Sequence, residues 1–201
     1  KEGVTTFLPT LITQSSEHLQ HCFSRLSTAL SDPLTASSVP GFHLEGPYIS
    51  PLPGYRGAHL EKYIRKPDWH EMLSFQKAAG NRIRLITLAP EADGALPFIG
   101  LCKAAGIIVA LGHHNAPAHV IRQAIEAGAA LSTHLGNGCA NLIHRHENPL
   151  WPQLADDRLT ATLIADGAHL TEDEIRCFYK MKGIDKTILV SDALDLAGLP
   201  P

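Results

Sequence analysis

The feature that most constrains the fold of this chain is an alternation, repeated seven times, between short apolar segments and segments with helical periodicity. Near-continuous apolar strands separated by helices are typical of a parallel sheet that the helices cover on both faces. The sequence therefore predicts an α/β fold. The predicted strands are residues 5–11, 39–44, 83–88, 107–111, 129–133, 159–165 and 187–190.

Capping signals indicate where the intervening helices begin and end. Ser15 precedes a helical pattern, Pro67-Asp68-Trp69 begins another, and Thr171 with Glu174 has the spacing of a capping box. The predicted helices are residues 15–30, a helix from 67 onward, 94–105, 116–128 and 171–182. Residues 31–33 are predicted to break the first helix, and 135–152 to be irregular.

Two α/β architectures fit this alternation: an open doubly wound sheet and a (β/α)8 barrel. No Gly-x-Gly-x-x-Gly sequence follows the first strand, which weakens the dinucleotide-binding version of the open sheet. Polar residues stand at the ends of several strands, as in barrel enzymes. A barrel needs eight strands and about 250 residues. We therefore predict that residues 1–201 form an incomplete TIM-barrel domain, with one strand missing or unrecognised.

Three of these strand-end residues form a candidate metal site. Glu45, His113 and His134 each follow a different predicted strand. Two histidines and a carboxylate match a catalytic zinc or iron site, in which one coordination position stays open for water. His114 is an alternative ligand, but adjacent strand residues point to opposite sides, so only one of the pair can face the barrel axis. We prefer His113 and interpret His114 as a structural or outer residue.

Two further strand-end residues are candidates for catalysis. Asp192 has the position of a general base that takes a proton from a metal-activated water and later gives it to a leaving amine. His169 could donate a hydrogen bond to the oxygen that becomes negative in the tetrahedral intermediate. The alternatives are a helix cap at Ser191-Asp192 and a surface histidine before a helix.

Charge and composition limit the classes of partner. The net charge is -3, and acidic and basic residues are mixed, so neither a nucleic-acid surface nor a polybasic membrane anchor is predicted. The apolar run 106–111 is far short of the ~20 residues of a bilayer span. The cysteines are widely separated, without a Cys-x-x-Cys pair, which favours a reducing, cytoplasmic setting.

Five motifs, in this order along nearly the whole chain, resemble the N-acetylglucosamine-6-phosphate deacetylases of the amidohydrolase superfamily. Any one of them alone would be weak, but the set is specific. The motifs are His43-Leu44-Glu45-Gly46-Pro47, Leu111-Gly112-His113-His114-Asn115-Ala116, Ser132-Thr133-His134-Leu135-Gly136-Asn137-Gly138, Ile164-Ala165-Asp166-Gly167-Ala168-His169 and Val190-Ser191-Asp192-Ala193.

The resemblance implies a metal-dependent hydrolysis that releases acetate from an N-acetylated amino-sugar 6-phosphate. It implies one divalent ion, zinc or iron, on Glu45, His113 and His134, an acid–base role for Asp192, and polarisation of the substrate carbonyl by His169. It also implies a sugar contact by His59, a phosphate-holding segment at Asn137 and Gly138, and a phosphate-binding arginine, Arg145, that reaches a neighbouring subunit in a homodimer.

The chain also departs from the family pattern. Relatives often read Thr-His-Leu-x-Asn-Ala-Met where this chain continues Gly136-Asn137-Gly138-Cys139, followed by Ile143-His144-Arg145-His146. The His-x-His strand that opens such barrels and the flanking β-sandwich are absent, so a fragment of a longer protein is expected, with open sheet edges. The alternatives are an amidohydrolase acting on a cyclic amide, a dipeptide or another N-acetyl amino sugar, and a non-catalytic metal-binding module.

Overall fold

The computed structural model describes residues 4–194 and residue 197, and within these residues it has seven strands and seven α-helices. The strands are β1 Thr10–Ile12, β2 Phe42–Glu45, β3 Ile83–Leu88, β4 Ile108–Leu111, β5 Ala129–Ser132, β6 Thr160–Ile164 and β7 Thr187–Val190. The helices are α1 Ser16–Ala29, α2 Pro33–Ser38, α3 Trp69–Ala78, α4 Ala95–Ala104, α5 Ala118–Ala127, α6 Leu150–Ala155 and α7 Glu172–Lys182.

All seven strands pair in chain order, each parallel to the next, in a single sheet. In a flat sheet, three strand spacings of about 4.8 Å would separate β2 from β5. Glu45 Oε1, at the end of β2, nevertheless lies 3.1 Å from His134 Nε2, just beyond β5. The sheet is therefore curled. Among the described residues β1 and β7 do not pair with each other, so the predicted incomplete (β/α) barrel is confirmed.

Most predicted elements are confirmed to within one or two residues, and β3 and β7 agree fully with their predicted ranges. The predicted first strand, 5–11, is wrong in its bounds. Pro9 has no N–H to donate to a ladder, and only its carbonyl pairs, accepting from the His43 N–H at 3.0 Å. The break predicted at residues 31–33 is followed by the helix α2, which was not predicted. This helix begins there because the Asp32 side chain caps it by accepting from the Thr35 N–H.

The apolar core lies between the sheet and its helices. Phe23 of α1 packs between Phe42 of β2 and Phe75 of α3, with ring centroids 6.0 and 6.2 Å apart, and all three rings are fully buried. A smaller core joins β6 to α6 and α7. In contrast, Ile12 on β1 and Leu189 on β7 are exposed at the two open edges of the sheet. Among the described helices, none is long and apolar enough to cross a membrane.

Candidate active site

Three predicted metal ligands meet at the carboxyl-terminal edge of the sheet. Glu45 is the last residue of β2, while His113 and His134 each lie two residues beyond a strand end. Glu45 Oε1 is 3.0 Å from His113 Nε2 and 3.1 Å from His134 Nε2, and the two ring nitrogens are 3.1 Å apart. All three side chains are buried. We call this group the Glu45–His113–His134 cluster.

The hydrogen bonds of His113 show why this cluster suits a cation. His113 Nδ1 is 2.9 Å from the carbonyl oxygen of Tyr55, and a carbonyl only accepts, so Nδ1 carries the proton. In the neutral ring, Nε2 then presents a lone pair to the Glu45 carboxylate. Two acceptors held 3.0 Å apart need a shared cation or a proton between them. Metal-bound histidines typically donate their second nitrogen to such a carbonyl. The residues therefore fit a divalent metal ion.

The charges of the cluster point the same way. Burial alone would raise the pKa of Glu45, but in the absence of a metal ion an Nε2–H donated by His113 or His134 holds that pKa well below its usual range. Burial likewise opposes the charged form of His134, yet its hydrogen bond to Glu45 and the Glu45 charge raise the pKa of His134. Glu45 is thus an anion in a buried site, and a bound cation would compensate its charge.

The backbone around His134 is held from β6. Its N–H donates to Thr162 Oγ1 at 2.7 Å, and that hydroxyl donates in turn to the carbonyl of Ser132 at 3.0 Å. On the other side, the Asn137 N–H donates to the carbonyl of His134 at 2.8 Å. The contact of Thr162 could not be predicted from the sequence, because a strand threonine 28 positions after its partner gives no local signal.

His59, the predicted sugar contact, lies against the cluster with a different protonation. Its Nδ1 accepts from the Thr13 N–H at 3.3 Å and lies 2.7 Å from Thr13 Oγ1, so the neutral ring carries its proton on Nε2. That nitrogen is 4.0 Å from Glu45 Oε1. Burial lowers the pKa of His59 to about 4. Glu45, His59 and His113 could by distance also hold a metal, but His59 offers a hydrogen-bond donor rather than a lone pair.

Two glycines let the backbone approach the cluster. Gly46, with φ +79°, follows Glu45 directly, and a side chain there would collide with Thr13 Oγ1. Gly138 has φ +63°, and a Cβ there would lie 3.1 Å from His134 Cε1 and 3.2 Å from His113 Nδ1. Only glycine adopts such φ values without strain. The predicted phosphate segment at Gly138 is thus packed directly against both imidazole rings.

A layer of hydrogen-bonded side chains lies deeper in the sheet and was not predicted. His43 Nε2 is 2.8 Å from Thr87 Oγ1, which is itself 2.7 Å from Thr133 Oγ1. Burial lowers the pKa of His43 to about 4. Side chains two apart on a strand share a face, so the position of His43 two residues before Glu45 was an available signal.

The remaining predicted residues do not contact the cluster among the described interactions. Asp192 and His169 are exposed after β7 and β6, and Arg145 is exposed on the loop before α6. Asn137 is partly buried, and His114 is buried with its Nδ1 accepting from the Ala116 N–H at 3.2 Å. His113 rather than His114 therefore meets Glu45. His113 lies beyond the end of β4 with φ +53°, so strand alternation is not the reason for this difference.

A curled parallel sheet with a carboxylate and two imidazoles at its strand ends defines a (β/α)-barrel protein with a candidate metal centre at the carboxyl-terminal face of the barrel. The comparisons with known proteins place it more narrowly. The N-acetylglucosamine-6-phosphate deacetylase of Lysinibacillus sphaericus is 33% identical over 100% of this chain, which covers 51% of that relative. The N-acetylgalactosamine-6-phosphate deacetylase of Escherichia coli O157:H7 is 32% identical, with coverages of 100% and 52%.

Solved structures agree with these sequence matches. A mutant N-acetyl-D-glucosamine-6-phosphate deacetylase from Mycobacterium smegmatis, in complex with N-acetyl-D-glucosamine-6-phosphate, superposes with a TM-score of 0.89 at 33% identity, over 98% of this chain and 50% of that one. No protein-family model matches the sequence. The resemblance to the N-acetylglucosamine-6-phosphate deacetylase family is thus confirmed along the whole chain, which spans about half the length of these relatives.

Proposed function

We propose that this chain is the metal-dependent hydrolase domain of a deacetylase that converts N-acetylglucosamine 6-phosphate to glucosamine 6-phosphate and acetate. The observation that carries the proposal is the convergence of Glu45, His113 and His134 within 3.1 Å at the strand ends. The relatives named for this activity support the choice of reaction and substrate. We propose that residues 1–201 all belong to this hydrolase domain.

The cluster is proposed to hold one divalent ion, zinc or iron, because a carboxylate and two imidazoles suit either metal. When bound, such an ion polarises the acetamide carbonyl and lowers the pKa of a bound water toward about 7. Glu45 supplies the negative charge of the ligand set. The backbone carbonyl of Tyr55 supports metal binding because it keeps the His113 proton on Nδ1, so that Nε2 stays free as a ligand.

The other predicted residues receive their roles by position. Asp192, which follows β7, takes a proton from the attacking water and delivers it to the amine that leaves. His169 donates a hydrogen bond to the acetamide oxygen as that oxygen becomes negative. The Nε2–H of His59 is directed toward the centre and is available to a sugar hydroxyl.

The phosphate of the substrate is proposed to bind beside the loop that follows β5. The backbone at Asn137 and Gly138 lies there, and Asn137 Nδ2 is buried without a hydrogen-bond partner among the described residues. Arg145 is exposed in the same loop, and a guanidinium fork suits a phosphate group. We propose that Arg145 serves a neighbouring subunit in a homodimer. A cytoplasmic location is proposed as well, since the four cysteines are all free.

Acetate release tests this proposal. The purified protein carrying this sequence would be incubated with the 6-phosphates of N-acetylglucosamine and N-acetylgalactosamine, a cyclic amide and an acetylated dipeptide, with added zinc or iron. Acetate would be measured for the acetylated compounds, and ring opening of the cyclic amide would be followed by mass spectrometry. We expect acetate release from N-acetylglucosamine 6-phosphate. The variant Asp192→Asn should lose this activity and keep its bound metal. Cleavage of the cyclic amide alone would overturn the proposal.

A second candidate substrate is N-acetylgalactosamine 6-phosphate, because two relatives, at 32% and 33% identity, are named for its deacetylation. The ratio of the two kcat/KM values decides between them. If metal content is stoichiometric and no compound in the panel is cleaved, the non-catalytic metal-binding alternative holds instead.

A further inference from the structure

Asp166 lies in the turn that directly follows β6 and has no role in the function proposed so far. Its carboxylate is fully engaged within that turn. Oδ1 accepts the backbone N–H groups of Ala168 and His169, each at 2.9 Å, and Oδ2 lies 2.8 Å from His169 Nδ1. The backbone of the turn and the imidazole of His169 are thus held by one side chain.

The chemistry of this pair determines which nitrogen of His169 carries a proton. The hydrogen bonds from His169 and Ala168 lower the pKa of Asp166 to about 2, so the side chain is a carboxylate at neutral pH. A carboxylate only accepts hydrogen bonds, so His169 Nδ1 must be protonated. Nε2 remains for a partner outside the turn. Aspartate orients the base of the serine hydrolases in the same way.

The turn lies next to the segment that carries His134. Leu170, which follows His169, packs so closely on Gly136 that a Cβ there would lie 2.7 Å from Leu170 Cδ2. Gly136 is two residues beyond His134. His169 therefore follows β6 at the same edge of the sheet as the Glu45–His113–His134 cluster, and its side chain is exposed.

We propose that Asp166 is a positioning residue that fixes the ring orientation and the Nδ1–H form of His169, so that Nε2 faces the acetamide carbonyl. The inference rests on the role proposed above for His169. A carbonyl oxygen only accepts, so His169 must hold a proton on Nε2 as well, and the reactive form is the imidazolium. The anionic Asp166 carboxylate stabilises that charged ring.

The variant Asp166→Asn gives a test that does not depend on catalysis. The two backbone N–H groups require the amide oxygen at the Oδ1 position, so the amide NH2 must face His169 Nδ1. A donor there forces Nδ1 to accept, and the neutral ring moves its proton to Nε2. Long-range 1H–15N spectra of 15N-histidine-labelled protein distinguish the two forms, and His169→Gln identifies the signals. We expect Nδ1–H in the parent and Nε2–H in Asp166→Asn; an unchanged form in the variant would overturn the proposal.

Kinetics give the second readout. We expect kcat and kcat/KM to fall together by about 10- to 100-fold in Asp166→Asn, because a neutral ring with its proton on Nε2 is a weaker hydrogen-bond donor to the acetamide oxygen than the imidazolium. Asp156→Asn is the matched control, because Asp156 makes a similar pair with Arg158 at the opposite end of β6. A parent-like kcat in Asp166→Asn overturns the inference and leaves the deacetylase proposal intact. If the parent cleaves nothing, the deacetylase proposal fails, and the ring-nitrogen spectra still decide whether Asp166 positions His169.

Discussion

Replacing Glu45 by glutamine is the sharpest test of the proposed metal centre. The change keeps the size of the side chain and removes the only carboxylate of the cluster, which is 4% exposed. Glutamine also places a donor or a neutral oxygen where His113 Nε2 presents a lone pair. We therefore expect the variant to fold but to lose its affinity for a divalent ion.

The expected size of the effect follows from linkage. A ligand that binds only the native state adds RT ln(1 + [L]/Kd) to the free energy of unfolding, about 2.7 kcal/mol for zinc at 100 times its Kd. Altering residues that merely support metal ligands costs about 10- to 100-fold in affinity. If loss of a ligand itself costs about 100-fold, the same zinc concentration adds only about 0.4 kcal/mol to the variant.

The assay is urea unfolding of both proteins with and without zinc, because the zinc-dependent difference cancels any effect of the substitution on the metal-free protein. Glu71→Gln is the matched control. Glu71 bonds Tyr48 and Arg65 away from the cluster, so this variant should keep the full zinc-dependent gain whatever its own stability. A Glu45→Gln protein that gains as much from zinc as the parent would refute the assignment of Glu45 as a ligand.

Three further predictions concern a hydrogen bond beside this site, a helix cap and the burial of a cysteine. Thr162→Val leaves the His134 N–H without its 2.7 Å acceptor and should cost about 1–3 kcal/mol in urea unfolding, whereas Thr162→Ser should cost much less; equal losses would contradict the assignment. Asp68→Ala removes the N-cap of α3 and should cost about 1 kcal/mol, with Asp68→Asn as its near-neutral control. A short thiol-labelling pulse, read by peptide mass spectrometry, should modify exposed Cys177 and spare Cys102, whose pKa burial raises to about 12; early labelling of Cys102 would contradict its buried position.

The strand order could be predicted because each element carries its own local signal. The range 83–88 matches β3 because an unbroken apolar run has the same limits as the ladder. The first strand could not be placed in the same way. Residues 5–11 are apolar enough for a strand. Strand pairing, however, depends on which backbone N–H groups face β2, and Pro9 has no N–H group to donate. Tertiary pairing, rather than composition, sets that boundary.

Some features of the site could likewise be predicted from residues close in sequence, and others depend on residues far away in the chain. The proximity of Glu45, His113 and His134 could be predicted because each follows an apolar strand, and parallel strands end at one edge. The pairing of Asp166 with His169, three residues apart, was also within reach of the sequence. The tautomer of His59 was not, because it depends on Thr13, 46 positions earlier. Hydrogen bonds of that range decide whether a histidine offers a lone pair or a proton.

The backbone at the strand ends gives an argument for function that the side-chain distances do not. Within the described part of the chain, four non-glycine residues have left-handed φ values: Asn81, His113, His134 and Asp192. Asparagine and aspartate visit this region more readily than other residues, but the two histidines cost of order 1–3 kcal/mol each and persist only where their surroundings enforce them. Bonds to the backbone of His113 and His134 do so: the Ser50 N–H donates to the carbonyl of His113, and Thr162 accepts from the N–H of His134. Glycine would relieve the strain at His113 and His134, and the presence of imidazole side chains at both positions supports the metal-ligand role that we propose for them.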